Sequence, residues 1–110
     1  MNLELTILAW TFTALLLFLL IVSILAGRGV IPLNHLIGIR LPALTWGDGA
    51  WRAGHRAAVM PAAIAFAVAL VFALGGLITP WAYLVAIAAF VIGFACAAIR
   101  ASLVGARVQV

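Results

Sequence analysis

Three unbroken apolar stretches, residues 5–26, 57–78 and 81–99, constrain this chain more than anything else in it. At about 1.5 Å of rise per residue, each can cross a hydrocarbon layer about 30 Å thick as a helix. In the first stretch only Thr6, Thr11, Thr13 and Ser23 are polar, and each hydroxyl can return to a carbonyl one turn back. None of the three contains Asp, Glu, Lys, Arg or His, which argues against an ion-coupled pump or a voltage sensor, since both need an ionisable group at depth. With 69% of the 110 residues hydrophobic and 7% charged, a soluble domain of this size would expose apolar surface it could not keep in solution. The expectation is an all-α membrane protein, residues 1–110 forming a single three-span domain with a loop, residues 27–56, between the first and second spans.

A secretory signal peptide is the competing reading of the first stretch, and it requires a basic start, a shorter apolar core and a small-residue cleavage site. Here the start carries Glu4 and no cation, and the far end reads Leu25-Ala26-Gly27-Arg28. A retained span is expected. Every cation is an arginine: Arg28, Arg40, Arg52 and Arg56 fall between spans one and two, and Arg100 and Arg107 follow span three. The positive-inside rule assigns that side to the cytoplasm, with the N-terminus outside and the C-terminus inside. Arg28, Arg52, Arg56 and Arg100 lie at span ends, where lipid headgroups are the expected contact. A sequence pI of about 11.3 would otherwise suggest a nucleic-acid partner, but no basic patch is interleaved with exposed aromatics, so none is expected.

Spans two and three differ in texture from the Leu- and Phe-rich first. Small residues recur every three or four positions at Ala58, Ala62, Ala65, Ala69 and Ala73, and again at Ala82, Ala86, Ala89, Gly93 and Ala97. That spacing lets helix backbones approach closely in lipid, and predicts a tight hairpin turning at Gly75-Gly76 and Thr79-Pro80.

The loop concentrates the expressive chemistry: both histidines, the one Asp, four arginines and two of the four tryptophans. Asp48 is a candidate N-cap for a helix that continues into span two, with Pro61 expected to kink it. The kink would set off a short interfacial helix over residues 49–56. Upstream, Pro32 and Pro42 bracket a segment suited to the headgroup plane or to a re-entrant path, with Leu33, Leu36 and Ile37 free to face lipid or protein. Gly38 suggests positive φ or close approach. Trp51 and His55 share one helix face, Arg52 and Arg56 an adjacent one. Arg40 can engage a carboxylate, carbonyl or phosphate, Asp48 being one internal candidate, while Trp51 anchors at the interface and His55 donates to the loop.

The runs Pro32-Leu33-Asn34, Gly38-Ile39-Arg40-Leu41-Pro42 and Trp51-Arg52-Ala53-Gly54-His55-Arg56 resemble the signature of the SdpI family, bacterial membrane proteins that include an immunity protein against a secreted toxin. Leu41 stands where that pattern often has Thr, and Asp48-Gly49 where it often has a more acidic pair. The resemblance implies a bacterial plasma membrane, a role in immunity or signalling, and Asn34, Gly38, Arg40, Trp51 and His55 as recognition residues for a toxin peptide, a lipid or a regulatory protein.

No carboxylate pair, nucleophile with a placed base or Gly-rich phosphate loop is present, so no catalytic residue and no cofactor is expected. His35, His55, Asp48 and Cys96 match no metal-ligand spacing, and a lone cysteine allows no internal disulfide. The reading is recognition through the loop. The alternatives are a small accessory subunit of a larger membrane complex, or a minimal transporter working as a homo-oligomer, because three spans alone scarcely enclose a pathway.

Overall fold

The computed structural model describes residues 3–34 and 36–108, and it is all-helical: α1 (Leu3–Gly27), α2 (Asp48–Gly75) and α3 (Ala82–Arg107), with no strand among the described residues. The helices hold 25, 28 and 26 residues, about 37–42 Å each, and all three are long and apolar enough to cross a membrane. They pack side by side in a bundle of 49 × 21 × 18 Å. The short turn after Gly75 makes α2 and α3 antiparallel. Gly27, at the end of α1, lies against Arg56 near the start of α2, so α1 runs antiparallel to α2 and parallel to α3.

Side-chain size, not polarity, separates inside from outside. The buried face of α2 is Ala50, Gly54, Ala58, Ala62, Ala65, Ala69 and Ala73, joined at its start by Trp51 and His55. Its outward face carries Met60, Ile64, Val68, Val71 and Leu74. In lipid, where hydrocarbon gains nothing by leaving one apolar neighbour for another, helices associate by close packing of small residues. The expected hairpin is therefore present. A Cβ at Gly93 would overlap that of Ala65, so the two backbones meet there as closely as they can.

Two boundaries differ from expectation. The third helix does not end near residue 99 but runs to Arg107, because the small-residue spacing continues through Ala97, Ala101 and Gly105, all of them buried. Asp48 is not the N-cap: Gly47 holds that place in extended backbone with no side-chain cap, and Asp48 is the first helical residue, its carboxylate at the positive end of the helix. Pro61 lies inside a single continuous α2, so residues 49–56 are the first turns of that helix and not the separate short interfacial helix expected. The hydroxyl of Thr13 bonds Ala9 O at 2.7 Å as expected. That of Ser23 is buried without a partner, as is the Tyr83 hydroxyl.

Candidate functional site

Helix α1 stops by a specific device. Val30 N–H bonds Leu25 O (2.9 Å), Gly29 N–H bonds Ala26 O (3.1 Å), and Gly29 takes φ +83°. This is the Schellman arrangement, in which a left-handed glycine lets the chain double back onto the last helical carbonyls. Arg52 reaches this end: its guanidinium would lie about 3.0 Å from a Cβ at Gly29, placing a cation at the negative end of α1. The Arg56 stem packs on Gly27 in the same way. Arg28, Arg52, Arg56 and Arg100 are all exposed.

From there the loop folds back across the first turns of α2. Asn34 organises its turn. The Oδ1 atom accepts from Leu36 N–H (2.8 Å) and Ile37 N–H (2.7 Å), and Nδ2 donates to Pro32 O at 2.7 Å. The Arg40 guanidinium donates to the Asn34 carbonyl, so of the carboxylate, carbonyl and phosphate partners expected for it the structure shows a carbonyl within its own loop, and not the Asp48 candidate. Gly38, at φ +117°, presses its bare Cα against the Trp51 ring, and a Cβ there would also lie 3.1 Å from His55 Nε2. Positive φ or close approach was the expectation for Gly38, and the structure shows both.

Trp51 and His55 supply the surface on which the loop is pinned. Their rings sit 4.2 Å apart at 50°. Trp51 is 1% exposed and its Nε1–H donates to Ile31 O at 2.9 Å. It is therefore a buried staple and not an interface-belt residue; Trp46 and Trp81 are the exposed tryptophans. For His55 the bonding decides the tautomer. Ile39 N–H can only donate, so Nε2 accepts (2.9 Å), and Nδ1 carries the proton and faces Trp51 O (2.7 Å). His55 thus accepts from the loop, where a donor had been expected, and both ring nitrogens are occupied. His35 lies outside the described residues, and among the described residues no group of three His, Cys, Asp or Glu side chains could hold a metal ion.

A further anchor was not singled out from the sequence. Leu44 is fully buried and seats between the two helices, 2.6 Å from where a Gly54 Cβ would be and 3.3 Å from where a Gly105 Cβ would be. The signal was available: Gly54 and Gly105 extend the small-residue spacing of spans two and three beyond the membrane stretches, leaving room for one large side chain.

With its interior polar groups satisfied, the loop turns other residues outward. Val30, Leu36, Ile37 and Trp46 are exposed, Leu36 at 89%, beside the exposed cations Arg28, Arg40 and Arg52. Beneath residues 38–41 lies a cleft of about 350 Å³ between α1 and α3. A broader groove of about 750 Å³ runs between α2 and α3 on the outer side, past Met60, Ile64, Val68, Ile92 and Cys96. No family model, curated protein or solved structure matches this chain.

Proposed function

We propose that the chain is an SdpI-like multi-pass protein of a bacterial plasma membrane whose work is recognition, with the loop between α1 and α2 on the cytoplasmic side as the recognition element. The observation that carries this reading is the division of labour in the loop. Asn34, Gly38, Trp51 and His55, which the resemblance nominates, are spent on holding one loop conformation, and they act as positioning residues. The contact surface is then the apolar set Val30, Leu36, Ile37 and Trp46, flanked by arginines. Such a surface suits an amphipathic segment carrying acidic residues, as a toxin peptide inserted in the membrane or a regulatory protein would offer. Placement of the loop in the cytoplasm rests on the arginine distribution. A reporter fused after the C-terminus should be active only as a cytoplasmic fusion.

A photo-crosslinking amino acid at Leu36 tests the role in the native host. The expected result is one protein adduct of discrete mass, lost when Gly38→Val unseats the loop and absent when the probe is moved to Leu84 at the opposite end. Adducts to lipid alone at Leu36 would overturn the reading. The outer groove between α2 and α3 favours a second reading, an accessory subunit, because its length and apolar lining suit a helix of a larger partner. A probe at Val68 that captured a stoichiometric membrane partner, with none at Leu36, would select it.

A further inference from the structure

Both grooves of the bundle end on an arginine, Arg100 in the outer α2/α3 groove and Arg40 in the cleft between α1 and α3, but only the α1/α3 cleft is roofed by the loop. Its walls are Leu15, Phe18, Leu19 and Val22 on one side and Phe90, Phe94, Ala97 and Ala98 on the other; its roof is Gly38, Ile39, Arg40 and Leu41. Phe90 stacks on Phe12 with ring centroids 4.3 Å apart, which closes the floor. From Leu15 to Val22 the cleft follows α1 for about 10 Å, all of it hydrocarbon. At the roof, Arg40 uses one guanidinium nitrogen on the Asn34 carbonyl and keeps its other N–H donors, and the side chain is exposed. Arg28 and Arg52 stand on the same end of the bundle, and the sole acid of the loop, Asp48, is not paired with Arg40.

We infer that this cleft is a binding site for one anionic phospholipid, an acyl chain lying between α1 and α3 and the phosphate on Arg40. Charge complementarity selects the occupant. A span of a second copy of this chain would bury the cleft walls but carries no acid to meet the guanidinium, and a neutral lipid would supply only part of the electrostatic gain. A guanidinium offers a planar pair of donors that matches two phosphate oxygens. The short, loosely packed seam fits the same role: α1 touches α3 far less extensively than it touches α2, so a chain can enter sideways from the bilayer. Because the loop that carries Arg40 is also the proposed recognition element, the inference rests on that loop being seated. It fails separately, however, since crosslinking at Leu36 reports a protein partner and lipid retention reports the cleft.

Native mass spectrometry of the detergent-solubilised protein, titrated with phosphatidylglycerol and with phosphatidylcholine, tests it. The wild type should retain one phosphatidylglycerol about tenfold more strongly than phosphatidylcholine, the size of one good charge-assisted contact. Arg40→Gln should abolish that preference, and Arg40→Lys, which keeps the charge but loses the planar fork, should keep only part of it. Ala98→Trp, which fills the cleft without touching the loop's hydrogen bonds, should remove retention of both lipids. Ala88→Trp, in the outer α2/α3 groove, should change neither. Equal retention of the two lipids by the wild type would overturn the inference. So would an Ala98→Trp variant that still holds phosphatidylglycerol, or one whose only change is from dimer to monomer. Displacement of the lipid by excess inorganic phosphate would overturn it too, because the chain, not the headgroup alone, is what the cleft holds.

Discussion

The seam between α2 and α3 and the contact between the loop and the first turns of α2 are held together by different means. The seam contains almost no chemistry: alanines and glycines at three- and four-residue spacing, with Gly93 set against Ala65 and no polar bond across it. The loop contact is nearly all chemistry, with Trp51, His55 and Asn34 each closing a hydrogen bond to backbone. In hydrocarbon the first means suffices, because fit alone distinguishes one partner helix from another. At the membrane edge a chain without regular structure must satisfy its own N–H and C=O groups, so side chains have to do what a helix ladder does elsewhere. The seam should therefore be sensitive to volume and indifferent to polarity, and the loop the reverse.

The largest effect should come from volume in the seam. Gly93→Leu would force apart two backbones with no room to move, costing about 3 kcal/mol by overpacking. Denaturation in mixed micelles followed by tryptophan fluorescence would measure it. A loss below about 1 kcal/mol would mean the seam is slack and the contrast false. Gly38→Ala comes next, at about 2 kcal/mol, because it adds left-handed strain to an overlap with the Trp51 ring. Its damage should be local. Protease should cut the loop while the helix content measured by circular dichroism stays unchanged.

His55→Ala should cost about 1.5 kcal/mol, since it leaves the Ile39 N–H without its acceptor, and His55→Gln should recover part of that through its carbonyl oxygen. The same bond gives the loop a pH dependence of fixed sign. Nε2 can accept only while the ring is neutral; a second proton turns it into a donor facing another donor. The loop contact is thus present at higher pH and lost as pH falls through the range where His55 takes that proton. No acid and no other histidine among the described residues hydrogen-bonds the ring, whose partners are Ile39 and Trp51. Protease resistance of the loop should fall on acidification in the wild type and be flat with pH in His55→Gln.

How much of this could be read beforehand follows the same division. Three spans and the hairpin were legible because lipid imposes a length and a spacing that residue types report directly, as in the run from Ala58 to Ala73. The end of α3 is not legible in hydropathy, which falls at Arg100, whereas the packing stripe continues through Ala101 to Gly105. In the loop the participants were legible and their roles were not. Nothing in the identity of His55 says whether it accepts or donates, and that is settled by Ile39, whose side chain is irrelevant to the bond. Trp51 has the composition of a belt residue, and only the path of Ile31 above it makes it a buried one. Leu44 was lost for a related reason, since one leucine among many has no distinguishing type until Gly54 and Gly105 are seen to leave a gap.

The smallest expected effect separates chemistry from shape within the loop itself. Asn34 uses Oδ1 for two N–H donors and Nδ2 for one carbonyl. Asn34→Ala removes all three and should cost about 1 kcal/mol, modest because the site is open to water, which can replace the bonds. Asn34→Asp keeps the oxygen that receives Leu36 and Ile37, loses the bond to Pro32, and places a carboxylate near Arg40 and the arginine-rich end of the bundle. Charge-assisted acceptance should offset the lost donor, leaving the variant within about 0.5 kcal/mol of wild type. The difference should shrink further in high salt, which screens exposed charge. An Asn34→Asp variant as damaged as Asn34→Ala would show that the turn depends on the Nδ2 bond to Pro32, and that the loop is held from its proline-bracketed start and not by the acceptor at its centre.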